Sequence, residues 1–479
     1  MQTRGATPVS FSRDQYDAVV VGAGPNGLAA AITLARRLRH VLLVEAKDTI
    51  GGGARSAALT LPGFVHDVCS AVQPLALSSP FFRRLGLERY GLEWVQPEIP
   101  LAHPFEDGTA LCLHRSLGAT ADGLGPDGGA YRRLVGPFAQ SHEKLLADVL
   151  KPLPLPDHPF LMARFGLKAL RPAKRLAEAT FRDARTRALF AGLAAHAMIP
   201  LERAATAAFG ILLAVLAHGV GWPVVKGGSQ KLADALAECF RQAGGEIRTG
   251  VEVRSTADLP RAERYVFDVT PRQLLAIEGL GLSEGYRAKL SRFRYGPGVC
   301  KADWALAGPI PWKADACRRA GTVHLGGSLE EIAAAIRDAH DGRACRTPYV
   351  VLAQQSLFDP TRAPAGKHTA WAYCHVPHGS PADMTEIIEE QIERHAPGFR
   401  ALILARSSMP AAALERHNAN CVGGDINGGL QDLRQLYSRP VLSLFPYRTS
   451  RKDVYLCSSS TPPGGGVHGL CGHYAARGL

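Results

Sequence analysis

Between Tyr16 and Ser56 the chain runs through a strand, a glycine turn, a helix, a second strand and a second glycine cluster, and few folds accept that order. Tyr16-Asp-Ala-Val-Val-Val21 is apolar and β-branched, as a buried parallel strand requires. Gly22-Ala-Gly24-Pro25-Asn26-Gly27 follows at once, and Leu28 to Arg37 has helical composition. In this pattern Gly22 makes the tight turn, Gly24 lets backbone approach a pyrophosphate, and Gly27 lets helix and strand pack closely. The helix then directs its first N–H groups and its positive dipole end at the phosphates. Val41-Leu-Leu-Val44 is the second strand. Glu45 closes it, 18 residues after Gly27, near the spacing of an acid that holds a ribose diol.

Later segments say which dinucleotide fits. Gly51-Gly52-Gly53-Ala54-Arg55-Ser56 places a second glycine turn just after the acid, which NAD does not need. A flavin does, because it extends past the pyrophosphate and backbone must run close to it. Near the end, Asp453 to Cys457 is a short strand, and Gly464-Gly465-Gly466-Val467-His468-Gly469 leads into a last helix. Such a helix N-terminus stabilises negative charge on the pyrimidine edge of a reduced flavin. The same residues also read as an ordinary loop and cap. In the middle, Trp222 to Ser229 introduces an amphipathic helix through Gln242, and Gly244 to Val253 reads as two short strands. Tyr265 to Asp268 is a third. The expected organisation is α/β: a Rossmann-type FAD domain from 14–75, 220–275 and 420–479, and an α+β substrate domain from 76–219 and 276–419.

Composition narrows the function classes. At 479 residues and 46% apolar, the chain buries a large core. Its net charge of +12 is mostly arginine and scattered, without a basic tail or a groove-reading module, so nucleic acid is not an expected partner. A solvated basic surface or attraction to an anionic membrane surface both fit. The ten cysteines form no Cys-x-x-Cys pair and no zinc spacing, so no metal is expected and the compartment is a reducing one, the cytoplasm. Residues 1–15 carry Arg4 and Arg13 and no apolar core, so no secretory leader is expected. Ala204 to Val225 has no Asp, Glu, Lys or Arg and is long enough to span a bilayer. Because the segments on both of its sides belong to one cofactor domain, it reads instead as a buried helix lining an apolar region.

Gly22-Ala-Gly-Pro-Asn-Gly-Leu28, Gly51-Gly-Gly-Ala-Arg-Ser56 and Pro463-Gly-Gly-Gly-Val-His-Gly469 resemble the phytoene-desaturase-like FAD oxidoreductases. The resemblance is closer to the branch of the pyridine nucleotide-disulfide oxidoreductase domain-containing protein 2 type and the desaturase-like carotenoid ketolases. It extends nearly end to end through Leu61 to Asp67, Trp222 to Ser229, Asp359 to Gly366 and Gly423 to Ile426. It implies a two-domain fold like p-hydroxybenzoate hydroxylase and the amine oxidases, with non-covalent FAD. One departure is Arg39-His40, where the pattern has Gly before the second strand. The chain also stops at Leu479, so a short final helix is expected.

The expected cofactor contacts are Gly22, Gly24, Pro25, Asn26, Gly27, Glu45, Gly52, Gly53, Ala54, Arg55, Val253, Gly465, Gly466 and Val467. Candidate catalytic residues are less uniform. Gly298 to Pro309 is similar to the amine-oxidase strand whose lysine bridges through water to flavin N5, which puts Lys301 in that role or leaves it a solvated lysine at a strand end. His66, in the His66-Asp67 pair, reads as a base facing the flavin ring or a hydrogen-bonded histidine. Asp425, after Gly423-Gly424, reads as a ligand of flavin or substrate, or as a loop cap. Arg362 reads as a carboxylate clamp or a sheet cap. His196, His218, His375 and His378 read as a polar cavity cluster or as ordinary core and surface histidines.

The expected reaction is hydride transfer from substrate to flavin N5, with oxygen or a quinone as reoxidant. No second intact fingerprint for NAD(P)H is present. The apolar 204–217 stretch favours a hydrophobic small-molecule substrate and a desaturase, dehydrogenase or oxidase. An amine-type oxidase, with Trp371 or Tyr373 in an aromatic cage, and an FAD-stabilised non-enzymatic partner protein are the alternatives. The oligomeric state stays open.

Overall fold

Two sheets carry the architecture. The computed structural model describes residues 11–152 and 155–479. Most of the segment expected to lack a leader, residues 1–10, lies outside the described residues.

The first sheet has five parallel strands in the order Glu246–Arg248, Val41–Val44, Ala18–Val21, Tyr265–Phe267 and Val454–Leu456. Ala18, Val20, Val41 and Leu43 face one core, Val19, Val21, Leu42 and Val44 another. Covered on both sides, the strands need the unbroken apolar runs seen in the sequence. On the first face lie the helices Pro25–Ala35, Gln230–Gln242 and Leu470–Arg477. The glycine helix starts at Pro25 rather than Leu28, because proline is pre-set for the first helical turn. Its contact with the last helix is very close: a Cβ on Gly472 would stand 1.7 Å from the Asn26 carbonyl oxygen. Only one strand forms between Gly244 and Val253. After Arg248 the chain turns at Gly250 (φ 72°), and the Val251 N–H donates to the Glu45 carbonyl.

The second sheet has seven strands in the order Ile403–Met409, Gly298–Leu306, His368–Val376, Val350–Ala353, Ala320–Leu325, Ile99–Pro104 and Ala110–Leu113. Only the Ala320–Leu325 and Ile99–Pro104 pair is parallel. Successive side chains alternate between faces. Cys300, Ala302, Trp304, Ala372 and Cys374 pack behind, against the Thr385–His395 helix. Val299, Lys301, Asp303, Trp371, Tyr373 and His375 point to the front. Every strand of the first sheet falls in 14–75, 220–275 or 420–479, and every strand of the second in 76–219 or 276–419.

Seven helices between Leu117 and Gly219 cover the front of the second sheet on one side. The apolar stretch becomes the helix Thr206–Gly219. It packs against Gly128–Ala139, Pro159–Ala169, Ala173–Thr180 and Ala184–Ala194, and a helix apolar all round belongs in such a core. No helix among the described residues is long and apolar enough to cross a membrane.

Candidate active site

One cavity of about 820 Å³ joins the carboxyl ends of the parallel strands to the front of the second sheet. Open α/β sheets bind their ligands at those strand ends. Gly22, with φ 101°, turns the chain there, and Gly24 caps the following helix without a side-chain bond, which leaves the Asn26 N–H without an acceptor among the described residues. Gly27 does not reach the wall. It lets the helix lie on the turn, for a Cβ there would stand 1.8 Å from the Gly22 carbonyl oxygen. Its N–H donates to Asp268 Oδ2 at 2.9 Å.

Glu45 is fixed by three donors: Ala23 N at 2.8 Å, Lys47 N at 3.0 Å and Arg55 Nη2 at 3.0 Å. Pro25, Asn26, Gly52, Gly53, Arg55 and Val253 line the cavity beside it, and Gly466 and Val467 close the far side. Ala54 and Gly465, expected as direct contacts, lie beneath the wall. Ala54 is fully buried, and a Cβ on Gly465 would meet the Asn427 carbonyl oxygen at 2.7 Å.

The second sheet supplies the opposite wall through two rows of facing residues. Lys301 stands opposite Tyr373, then Val351, then His324; Asp303 stands opposite Trp371, then Ala353, then Thr322. Lys301, Tyr373, Val351, Trp371 and Thr322 reach the cavity, joined by Val299, Leu414, Val72 and Trp222. The rings of Trp371 and Tyr373 meet edge to face with centroids 5.3 Å apart. Lys301 is no strand-end lysine. It sits inside a nine-residue strand, 2% exposed, with its ammonium bonded to Asp303 Oδ2.

Behind this pair lies His66. The Ser56–Ala57 and His66–Asp67 strands pair antiparallel, and this directs the His66 ring away from the cavity. Its Nε2 bonds Thr60 Oγ1 at 2.7 Å, and its Nδ1 is 3.6 Å from Asp303 Oδ1. Burial, with the Lys301 charge second, lowers the His66 pKa to about 4, so the histidine is neutral and this contact is no ion pair. Burial raises Asp303 to about 6 against the pull of Lys301. His66 is thus not a base facing the ring; it backs the Lys301–Asp303 pair.

The structure narrows three further readings. Asp425 borders the cavity, but its carboxylate accepts N–H bonds from Gly296, Asn427 and Gly429, which makes it a loop cap. Arg362 clamps no ligand: fully buried, it bonds Asp67 and Asp359, both at 2.9 Å, and the Val225 carbonyl at 2.8 Å. The Thr206–Gly219 helix lines none of the cavity. The histidines scatter likewise. His196 reaches the wall, His218 bonds the Tyr131 hydroxyl, His375 is buried on the sheet, and His378 donates to the Gly296 carbonyl.

Several wall residues escaped sequence reasoning, Asp268, Asn420, Ser459, Trp222 and Thr322 among them. Asp268 had a signal: it is an acid at the carboxyl end of a parallel strand, beside the glycine turn. Burial, reinforced by the Glu45 charge, raises its pKa to about 7. Thr322 had none, since a threonine inside an apolar strand is ordinary.

Residues 20–78 match the NAD(P)-binding Rossmann-like domain model. Pyridine nucleotide-disulfide oxidoreductase domain-containing protein 2 of Mus musculus is 28% identical over 97% of this chain and 93% of its own length. Hydroxyneurosporene desaturase of Cereibacter sphaeroides is 32% identical over 54% of this chain and 57% of its own. The chain is similar to desaturase-like FAD-dependent oxidoreductases. The two-domain flavoenzyme fold is shared more widely: a putrescine oxidase variant superposes with a TM-score of 0.63 at 16% identity, covering 97% of this chain and 98% of that one.

The protein is an enzyme, an FAD-dependent oxidoreductase, and its cofactor is FAD. The cradle fits that group on three counts. A Cβ on Gly24 would fall 2.9 Å from Asp268 Oδ2, whereas one on Gly53 would meet nothing within 4 Å. Asn26 Oδ1 is buried with no hydrogen-bond partner among the described residues. The helix start offers the Asn26 N–H to a diphosphate, since Pro25 has none and those of Gly27 and Leu28 are taken by Asp268 and Gly24.

Proposed function

We propose that this FAD-dependent oxidoreductase removes hydrogen from an apolar, uncharged small molecule held against the front of the second sheet. The wall carries the reading: Val72, Trp222, Val299, Val351, Trp371, Tyr373 and Leu414 surround the substrate space, and Lys301 is the charge that the sheet face brings to it. Bound FAD supplies a hydride acceptor. Trp371 and Tyr373, packed edge to face, offer ring surface against which a flat or extended chain lies. The Lys301 ammonium, fixed by Asp303, donates from Nζ to a water that takes the departing proton, and its charge favours reaction with oxygen.

A second reading, oxidation of an amine, is favoured by the aromatic pair beside Lys301. Against it, no carboxylate from the sheet face borders this part of the wall among the described residues, so an ammonium substrate would meet a like charge at Lys301. Anaerobic mixing of the FAD-loaded enzyme with matched long-chain alcohols, alkenes and amines decides between them. Bleaching of the flavin band by the uncharged compounds is the expected result. Bleaching by the amines alone would replace this reading with the other. Reoxidation by air or by a quinone then identifies the acceptor.

We further infer that the enzyme docks on an anionic membrane surface. In the Pro159–Ala169 helix, Phe160 is 91% and Leu167 is 76% exposed, seven residues apart on one face, flanked by exposed Arg164 and Lys168. Apolar anchors beside basic residues are the composition of interfacial helices. The ten free cysteines favour the cytoplasm as the compartment.

A further inference from the structure

The end of the substrate space remote from Lys301 carries polar groups that the hydrogen transfer does not use. Thr322 is 2% exposed and lines the wall, and its Oγ1 has no hydrogen-bond partner among the described residues. His324, two residues along on the same face, holds the second group in place: its Nε2 lies 3.2 Å from His196 Nε2. His196 also lines the wall, and its Nδ1 makes no hydrogen bond among the described residues. Trp222 stands edge-on to the His196 ring at 6.5 Å. A buried hydroxyl left unpaired is costly, so a ligand that satisfies it is selected over one that does not.

The sheet register sets the distance. Thr322 is three strands from the Lys301 strand, about 14 Å at ordinary strand spacing. Between them stand Tyr373 and Val351 in one row and Trp371 and Ala353 in the other, all uncharged. Burial keeps both imidazoles neutral, with the His196 pKa lowered to about 4. A carboxylate or an ammonium at this end would therefore be buried without a counter-ion.

We propose that Thr322 and His196 form a subsite for a neutral oxygen, hydroxyl or carbonyl, at the substrate end remote from Lys301, an assignment that rests on the apolar-substrate reading above. The Thr322 hydroxyl donates to a carbonyl or accepts from a hydroxyl. His196 Nδ1 complements it in either tautomer, because the bond to His324 takes up Nε2 alone.

The test is ligand binding to the FAD-loaded enzyme, read by quenching of tryptophan fluorescence, with decane, decanol, decanone, decanoate and decylamine as probes. Decanol and decanone are expected to bind about tenfold tighter than decane, and the two ions no tighter than decane. Thr322→Val removes that preference while decane affinity stays within about twofold, and Thr322→Ser keeps it. If Thr322→Val does not fold, His196→Phe must lower the decanol preference instead. Decane bound as tightly as decanol by the unmutated enzyme, or a preference that survives in the folded variant, overturns the subsite alone. No binding by any of the five overturns the apolar-substrate reading and the subsite together.

Discussion

The Lys301 ammonium is bonded to the Asp303 carboxylate two positions along the same strand, and both side chains are shut off from solvent. Removing one partner leaves a buried charge without compensation. Lys301→Met should therefore lose about 3 kcal/mol of stability in denaturant titrations while still holding FAD. Its reoxidation by oxygen should slow. Adding Asp303→Asn should restore most of the stability and none of the oxygen reactivity. A double variant that regains both would mean that Lys301 acts only through folding.

Asp268 lies against the glycine turn that receives the diphosphate, with its pKa raised to about 7 by burial. Below that pH it is neutral; above it, its charge repels the phosphates. FAD affinity should weaken about tenfold as pH rises through 7. Asp268→Asn keeps an acceptor for the Gly27 N–H and should bind FAD with no such pH dependence. Fluorescence titration at pH 6 and pH 8 measures both proteins, and parallel curves would remove Asp268 from the site.

Two glycines in the cradle should fail differently. Gly27→Ala drives a Cβ into the Gly22 carbonyl and should give no folded protein. Gly53→Ala meets no atom of the protein and should fold normally, yet occupy space that FAD needs. Its FAD content after purification should fall well below that of the unmutated enzyme at equal thermal stability of the apo forms. Full occupancy would place Gly53 away from the cofactor.

Burial lowers the pKa of His66, His103, His196 and His468 to about 4 and of His375 to about 3. Unfolded imidazoles take up a proton near 6.5, so the stability these groups contribute is complete above that pH and lost as pH falls towards 4. Each accounts for a slope of about 1.4 kcal/mol per pH unit in that window. Asp268 and Asp303, raised in the fold, act with the opposite sign but are fewer. His375 has no partner on either nitrogen among the described residues, so His375→Phe should be nearly neutral at pH 7 and flatten the acid loss by one proton. Midpoints of thermal unfolding against pH give the slope directly; an unchanged slope would mean His375 is protonated in the fold.

Flotation with phosphatidylserine vesicles tests the Pro159–Ala169 helix. The enzyme should float with anionic vesicles, less so at high salt, and Phe160→Asp with Leu167→Asp should abolish it. Binding that persists in this exposed-site variant would move the contact elsewhere.

The nucleotide half was legible because its constraints are local. Gly22 to Gly27 and Glu45 each answer to a backbone geometry that only a few residue types satisfy. The substrate half was not. Lys301, Trp371 and Thr322 meet only through strand register, and register joins residues some seventy positions apart with no short motif to announce it. The same gap explains His66 and Arg362. Each kept a ligand-facing and a structural reading, because the partners that decide, Asp303 for His66 and Asp67 for Arg362, come from distant segments. The apolar Thr206–Gly219 helix misled for a related reason, since a helix in a core and a helix along a cavity share one composition.

The first sheet takes its outer strand from Val454–Leu456, and the cavity wall includes Val467, while the glycine turn that begins the site is at Gly22. A ribosome therefore releases the first half of the nucleotide cradle hundreds of residues before the piece that closes it. During synthesis the early strands must wait, with their carboxyl ends uncovered, for a partner still being translated. Flavin capture in this enzyme is consequently a late event that waits for the Val454–Leu456 strand, and a product cut short of that strand would be colourless.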